Sequence, residues 1–280
     1  LVLREYPEAQ RELQAAWQAG YQSREARLAL GLALGERYRQ EFAEAQRIGN
    51  KKWIASRDSE LTTQYLKPAM AYLQGADQGI ENSLYVQGLL SLYRKQYDQA
   101  LELAQRAQAE TPWLADPLTL QAEVYRLQGF SSFSRGQYRE AKDQSVRATA
   151  LHQAAAAINP SDSAIHEALA SDWILIMSAD HIIGSPLDQD LKEVNAAADH
   201  ARIANPRQTS SLVLKSLAAW RVGSARVLHF EKDAKPILQE ALALAQQAVE
   251  LNPKDWQSHY FYSLSIAELG SLPEATEKEN

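Results

Sequence analysis

Apolar and small side chains recur along this chain three and four residues apart, the spacing of one helix face, with little of the β-branched alternation that strands require. Four alanine-rich amphipathic stretches, AQRAQAETP, HQAAAAINP, DHARIANP and AQQAVELNP, each end on a proline. Proline cannot continue a helix and disfavours the helical state of the residue before it, so each one marks a helix end. These prolines, Pro112, Pro160, Pro206 and Pro253, are separated by 48, 46 and 47 residues. Helix stops at a fixed period imply a repeat architecture in which each unit packs on its neighbours.

Before residue 81 the pattern predicts a helix over 7–19 ending at Gly20, then a long helix over 23–48 with a break at Asn50. A partner helix over 52–73 follows, kinked or restarted by Pro68, and then a loop at 74–79. Further along, helices are expected over 163–183 and 187–204, separated by GSPLDQD, whose Gly184 and Pro186 are stop and turn residues. A hairpin turn is expected near 232–236, and a last unit opens at Trp256.

The clearest unit runs from Glu81 to Pro112 and carries Gly88, Tyr97, Ala100, Ala104, Ala107 and Pro112 in order. It resembles the tetratricopeptide repeat, a helix–turn–helix of about 34 residues. In that family a small residue lets the two helices approach, an aromatic and small residues form the second helix's inner face, and proline ends it. Ala104 stands where the family usually has an aromatic. Gly136, Tyr138, Ala141 and Ala148 repeat these marks, with 14 residues rather than 7 from Ala122 to Gly136 and 19 rather than 12 from Ala141 to Pro160. Roughly two extra turns in each helix keep the buried stripe on one side.

The resemblance implies an all-α fold, a right-handed α-solenoid of antiparallel helix pairs with several elongated hairpins, as a single array over 1–280. Its parts would be divergent helices over 1–80, repeats at 81–112, 115–160, 163–206 and 209–253, and a partial repeat at 256–280. More loosely, YPEAQ at Tyr6, LALGLALGERYRQEFAEAQ and ELTTQYLKPAMAYL are similar to repeat regions following the catalytic domain of some bacterial serine/threonine protein kinases. That likeness implies a regulatory or dimerisation segment of a signalling enzyme. The chain itself has no kinase glycine-rich loop, HRD or DFG. Its opening, LVLREYPEAQ, has neither Met nor a basic leader and reads as a piece of something longer, expected in the cytoplasm or alternatively the periplasm.

A formal charge of −6 argues against a nucleic-acid partner, and the absence of cysteine removes disulfides, thiolate metal sites and a thiol nucleophile. The richest apolar run, LALGLAL from Leu28, is far short of the ~18 residues a membrane span needs. No two of the six histidines are three or four residues apart, and His166-Glu167 lacks the second histidine of a zincin motif, with Ala170 in its place. Asp180-His181 and Asp199-His200 are helix neighbours that point apart. SSFS at 131–134 has no nucleophile-elbow context, and Gly31 and Gly35 belong to a helical GLALG. The expectation is a non-catalytic chain with no cofactor and no metal.

In tetratricopeptide arrays the first helices line a concave groove. The resemblance maps that groove onto Tyr85, Leu89 and Tyr93, then Glu123 and Arg126, then Glu167, then Trp220 and Arg221, and finally Tyr260. Leu92, Val213, Leu217 and Ile174 fall on the same lining. The lysine and asparagine that grip a C-terminal carboxylate in one subset of the family are replaced here by Tyr85 and Leu89, Thr119 and Glu123, and Glu167 and Ser171. Tyrosine, tryptophan and arginine are common binding anchors, so a protein or peptide partner is expected. The alternatives are the missing catalytic domain, a second copy, or a small molecule held near Trp173, Trp220 and His229. Aromatic stripes at helical spacing also pack cores, and Trp17, Trp53, Trp113 and Trp256 are expected to be packing residues, the last two stapling one unit to the next.

Overall fold

The computed structural model describes residues 6–48, 50–76, 83–229, 231 and 233–272. The described residues are helical, with no strand among them, and the chain divides into two compact units, Leu1–Pro112 and Trp113–Asn280.

In the first unit the helices are α1 (Tyr6–Gln18), α2 (Arg24–Ile48), α3 (Lys51–Leu61), α4 (Lys67–Ala76), α5 (Ser83–Tyr93) and α6 (Tyr97–Glu110). Asn50 caps α3 by accepting the Trp53 N–H at 3.1 Å. The expected partner helix over 52–73 is two helices joined by a π-helical turn, Thr62–Leu66. The cause is Pro68, which lacks an N–H and crowds the carbonyl four residues back. The chain widens just before it, the Lys67 N–H reaching the Thr62 carbonyl five residues away. Helix α4 covers 74–76, so the start of the expected loop is helical, and 77–79 lie outside the described residues. Leu30, Leu34, Leu61, Tyr65 and Ala69 form the core of this region, with Trp17, Tyr38, Phe42 and Tyr72 packed on it.

The second unit contains α7 (Asp116–Ser134), α8 (Tyr138–Ile158), α9 (Ser163–Ile183), α10 (Asp188–Ala204), α11 (Ser210–Leu228), α12 (Ala234–Leu251) and α13 (Trp256–Ser271). Each packs against the next, and the first helices α7, α9, α11 and α13 also touch in succession. At 19 and 21 residues, α7 and α8 are long against α5 and α6 at 11 and 14, in line with the lengthened hairpin. Gly184 adopts φ 78° and ends α9 where the pattern puts its stop, with the Ser185 N–H returning to the Asp180 carbonyl.

The periodic prolines act through the residue before them. Thr111, Asn159, Asn205 and Asn252 leave the helix with φ from −129° to −142° and ψ from 64° to 93°. Each still donates its N–H to an alanine carbonyl four residues back, Ala107, Ala155, Ala201 and Ala248, and all four alanines are buried. Two histidines belong to the same joints. His166 Nε2 donates to the Pro160 carbonyl and His259 Nε2 to the Pro253 carbonyl, both at 2.9 Å. Trp113, expected as a packing residue, is 66% exposed. Trp53 and Trp256 are also exposed.

The hairpin turns of the α5–α6 and α7–α8 pairs match atom for atom. Gln96 N–H donates to Ser91 and Gln137 N–H to Ser132, each at 2.9 Å, and the residue before each glutamine is left-handed. In one turn that residue is Gly136, in the other Lys95 at φ 61°. A side chain in this conformation costs about 1 kcal/mol relative to glycine. Lys95→Gly should therefore raise the unfolding free energy by about 1 kcal/mol and Gly136→Ala should lower it similarly, read by urea denaturation. A Lys95→Gly protein no more stable than the parent would contradict this account of the turn.

Candidate partner-binding face

The structure divides the nine expected groove residues into core and accessible sets. Leu89 is wholly buried and Tyr93 is 8% exposed, its ring packed against Gly35 of α2. Glu123 is also buried, and so are Leu92, Val213, Leu217 and Ile174 of the wider lining. These are corrections, because helical spacing gives the direction of a side chain but not the depth of the neighbouring helix that covers it. Tyr85, Arg126, Glu167, Trp220, Arg221 and Tyr260 keep partial exposure.

Glu123 and Arg126 satisfy each other one turn apart on α7. Arg126 Nε donates to Oε2 at 2.8 Å and Nη2 to Oε1 at 2.7 Å. Beside them lies a pair that the residue pattern does not announce. His152 Nδ1 of α8 is 2.6 Å from Asp172 Oδ2 of α9, with both side chains enclosed. Burial pushes the Asp172 carboxyl up, against the opposing pull of His152 and Arg126. A second buried group joins α8, α9 and α10. Lys142 Nζ donates to both oxygens of Asp180 at 2.7 Å, and Asp190 stands alongside. Burial and the neighbouring Asp180 push Asp190 up to about 6. The available signal is α9 itself: ASDWILIMSAD places two aspartates in an apolar helix, where each needs a partner from a flanking helix.

The row α9, α11 and α13 presents a different arrangement. The Arg221 side chain donates from Nη1 to Ser178 Oγ of α9, and Tyr260 of α13 lies within electrostatic reach. No described carboxylate pairs with Arg221, and its Nε–H has no acceptor. The indole N–H of Trp220 likewise has none. Trp173, Trp220, Tyr260 and Leu264 are partly buried over a core that includes Met177, Leu217 and Phe261. Trp220, Arg221 and Tyr260, expected together from the sequence, are thus brought to neighbouring helices, with Ser178 added by the fold. His229, at the end of α11, is exposed.

Among the described residues no three His, Asp or Glu side chains could hold a metal, and no helix is long and apolar enough to cross a membrane. A cleft of about 430 Å³ in the first unit is lined by Gln74, Gln87, Leu90, Ser91, Arg94, Gln99 and Leu103.

No family model matches the chain, and no curated protein matches it in sequence. Among solved structures it is similar to TTC0263, a thermophilic TPR protein of Thermus thermophilus. The identity is 16% over 75% of this chain and 94% of that one, with a TM-score of 0.48. It is also similar to MamA MSR-1 C2, at 14% identity over 76% and 98% of the two chains, TM-score 0.37. The TPR2AB domain of yeast Sti1, in its complex with pHSP90, matches at 16% identity over 94% and 93%, TM-score 0.30. At such scores the paired-helix architecture rests on this chain's own contacts and dihedrals.

Two outcomes test the buried charges. His152→Ala strands a buried carboxyl, so it should cost about 3 kcal/mol, and Asp172→Ala added to it should cost much less than the two single losses summed. Additive losses in urea titrations would show that the pair does not act as a unit. An acid raised to about 6 binds its proton more readily folded than unfolded. Its contribution is therefore greatest below the ordinary aspartate range and declines as pH climbs towards 6. Asp190→Asn should raise the melting temperature at pH 7.5 and flatten its fall between about pH 4 and 6. An unchanged slope would remove Asp190 as its source.

Proposed function

We propose that this chain is a non-catalytic protein–protein interaction module that receives a peptide or helix of a partner on a concave face formed by α9, α11 and α13. The observation that carries the reading is the row itself. Consecutive first helices touch, and they carry Trp173, Trp220, Tyr260 and Leu264, all still partly exposed, on the same row of helices as Arg221. Half-buried tryptophan, tyrosine and arginine on a rigid scaffold are the side chains from which binding hot spots are most often made. Their supporting helices are packed around Met177, Leu212, Leu214 and Phe261, so the face is largely preformed and binding carries little ordering cost. Tyr85 and Glu167 are not needed for this reading, and Leu89, Tyr93 and Glu123 serve the core.

The test is quantitative capture of partners on immobilised protein, comparing wild type with Trp220→Ala and Tyr260→Ala. Ile203→Ala, which alters a side chain 77% exposed on the second helix α10, is the control. Truncating a central anchor typically loses about 2 kcal/mol, so recovery of the same partner should drop about thirtyfold for the first two and stay constant for the control. Equal recovery from all four proteins, each with an unchanged circular dichroism spectrum, would refute the face.

A further inference from the structure

Arg221 and Arg226 lie five residues apart on α11 and are treated very differently. Arg226 is surrounded by carboxylates, with Asp188, Glu231 and Asp233 all paired to it. The other cation of this helix, Lys215, is paired with Asp199 at 2.8 Å. Arg221 is partly buried, and among the described residues its guanidinium donates to one neutral hydroxyl, Ser178 Oγ, which is itself committed to the Ile174 carbonyl. Burial holds the Arg221 group down to about 10, still charged at neutral pH. A buried guanidinium without a counter-charge is costly, and folded chains seldom keep one unless something else neutralises it. Part of the residue remains open to solvent, so that neutralising group can come from outside.

We infer that Arg221, with Ser178 and Tyr260, forms a subsite for a single carboxylate on the docked partner, an acidic side chain or a C-terminus flanked by apolar residues. This rests on the docking face proposed above and specifies the chemistry it reads. The Nε–H of Arg221 is enclosed and unsatisfied, so an outside counter-charge meets the part of its planar fork that stays open, a geometry suited to a carboxylate. A phosphate would call for further cations, and the neighbouring ones on α11 are already neutralised. The apolar flanks follow from Trp173, Trp220 and Leu264, which line the same row of helices. The site differs in kind from Glu123–Arg126, where the cation and its carboxylate partner lie on one helix.

The experiment selects random displayed peptides on wild-type protein, then measures each enriched peptide and its Glu→Gln, Asp→Asn or C-terminal amide counterpart against wild type and Arg221→Met. In parallel, sodium propionate and sodium chloride at equal ionic strength are compared for thermal stabilisation of both proteins. Neutralising the peptide carboxylate should weaken wild-type binding about tenfold or more and leave Arg221→Met binding within about twofold, since the two changes remove one shared interaction. Unliganded Arg221→Met should melt no lower than wild type, because a buried unpaired charge has been replaced by a thioether of similar length. Peptides that bind wild type and Arg221→Met equally, with no preference for acids, would overturn the carboxylate subsite and leave the docking face standing. If no peptide is enriched the docking face fails, and propionate then decides the subsite. Stabilisation of wild type alone would keep it as a site for a free carboxylate, and none would overturn it. Should Arg221→Met not fold, the uncharged Arg221→Gln replaces it, with the same peptide pairs deciding.

Discussion

The position at which each second helix ends governs how the chain leaves it. Proline forces the residue before it out of the helical region, and Thr111, Asn159, Asn205 and Asn252 all adopt nearly the same extended dihedrals. Within the second unit, repetition of one backbone geometry turns the chain out of each second helix in the same way before the next first helix begins. Side chains fasten these joints: Asp162 and Asp255 cap the following helices, and Thr209 ahead of α11 donates to Asp255 ahead of α13 at 2.8 Å. Buried alanines, among them Ala141, Ala148, Ala155, Ala241, Ala245 and Ala248, keep the seams narrow. Ser178, Arg221 and Tyr260 are 43 and 39 residues apart in sequence and meet because this geometry recurs.

A helix sandwiched between neighbours on several sides must also dispose of its polar groups. Helix α9 shows the rule and its limit. Asp172 is matched by His152, Asp180 by Lys142, and Ser178 returns its own hydroxyl to the Ile174 carbonyl. Such buried pairs add little net stability over apolar residues of similar shape, but losing one partner strands the other, so they fix which helices may adjoin. Asp190 is the exception among the acids, a second carboxyl placed beside Asp180 with one lysine between three helices to serve both.

Most of the helix boundaries were legible because they are written by residues with strong local physics. Gly184, Asn50, the periodic prolines and the turn glycine Gly136 each end or begin an element where the pattern puts it. Lys95 carries the same left-handed turn as Gly136, although nothing about lysine announces it; there the hairpin packing overrides local preference. Pro68 signalled a disturbance but not its form, since a kink, a restart and a widened turn all relieve the same clash. The residues of the candidate face were legible as helix positions only. Trp220, Arg221 and Tyr260 were assigned by helix position, whereas Leu89, Val213 and Leu217 share those positions and are core, because helical periodicity gives direction but not the depth of the neighbouring helix. The His152–Asp172 and Lys142–Asp180 pairs join residues 20 and 38 positions apart and became visible only with the packing.

The contrast within α11 is what gives the face chemical character. At its end, Arg226 ties the first turn of α10 to the turn before α12 through three carboxylates, so this chain surrounds a cation with acids where a joint has to be held. With 35 acidic against 29 basic residues, supply is not what leaves Arg221 without a carboxylate among the described residues. An acid placed beside it within the fold would have relieved the desolvation and closed the site. A hydroxyl holds the guanidinium, with a phenol within electrostatic reach, while its charge stays available, the arrangement expected where the counter-charge belongs to a ligand and binding energy is to be gained when it arrives.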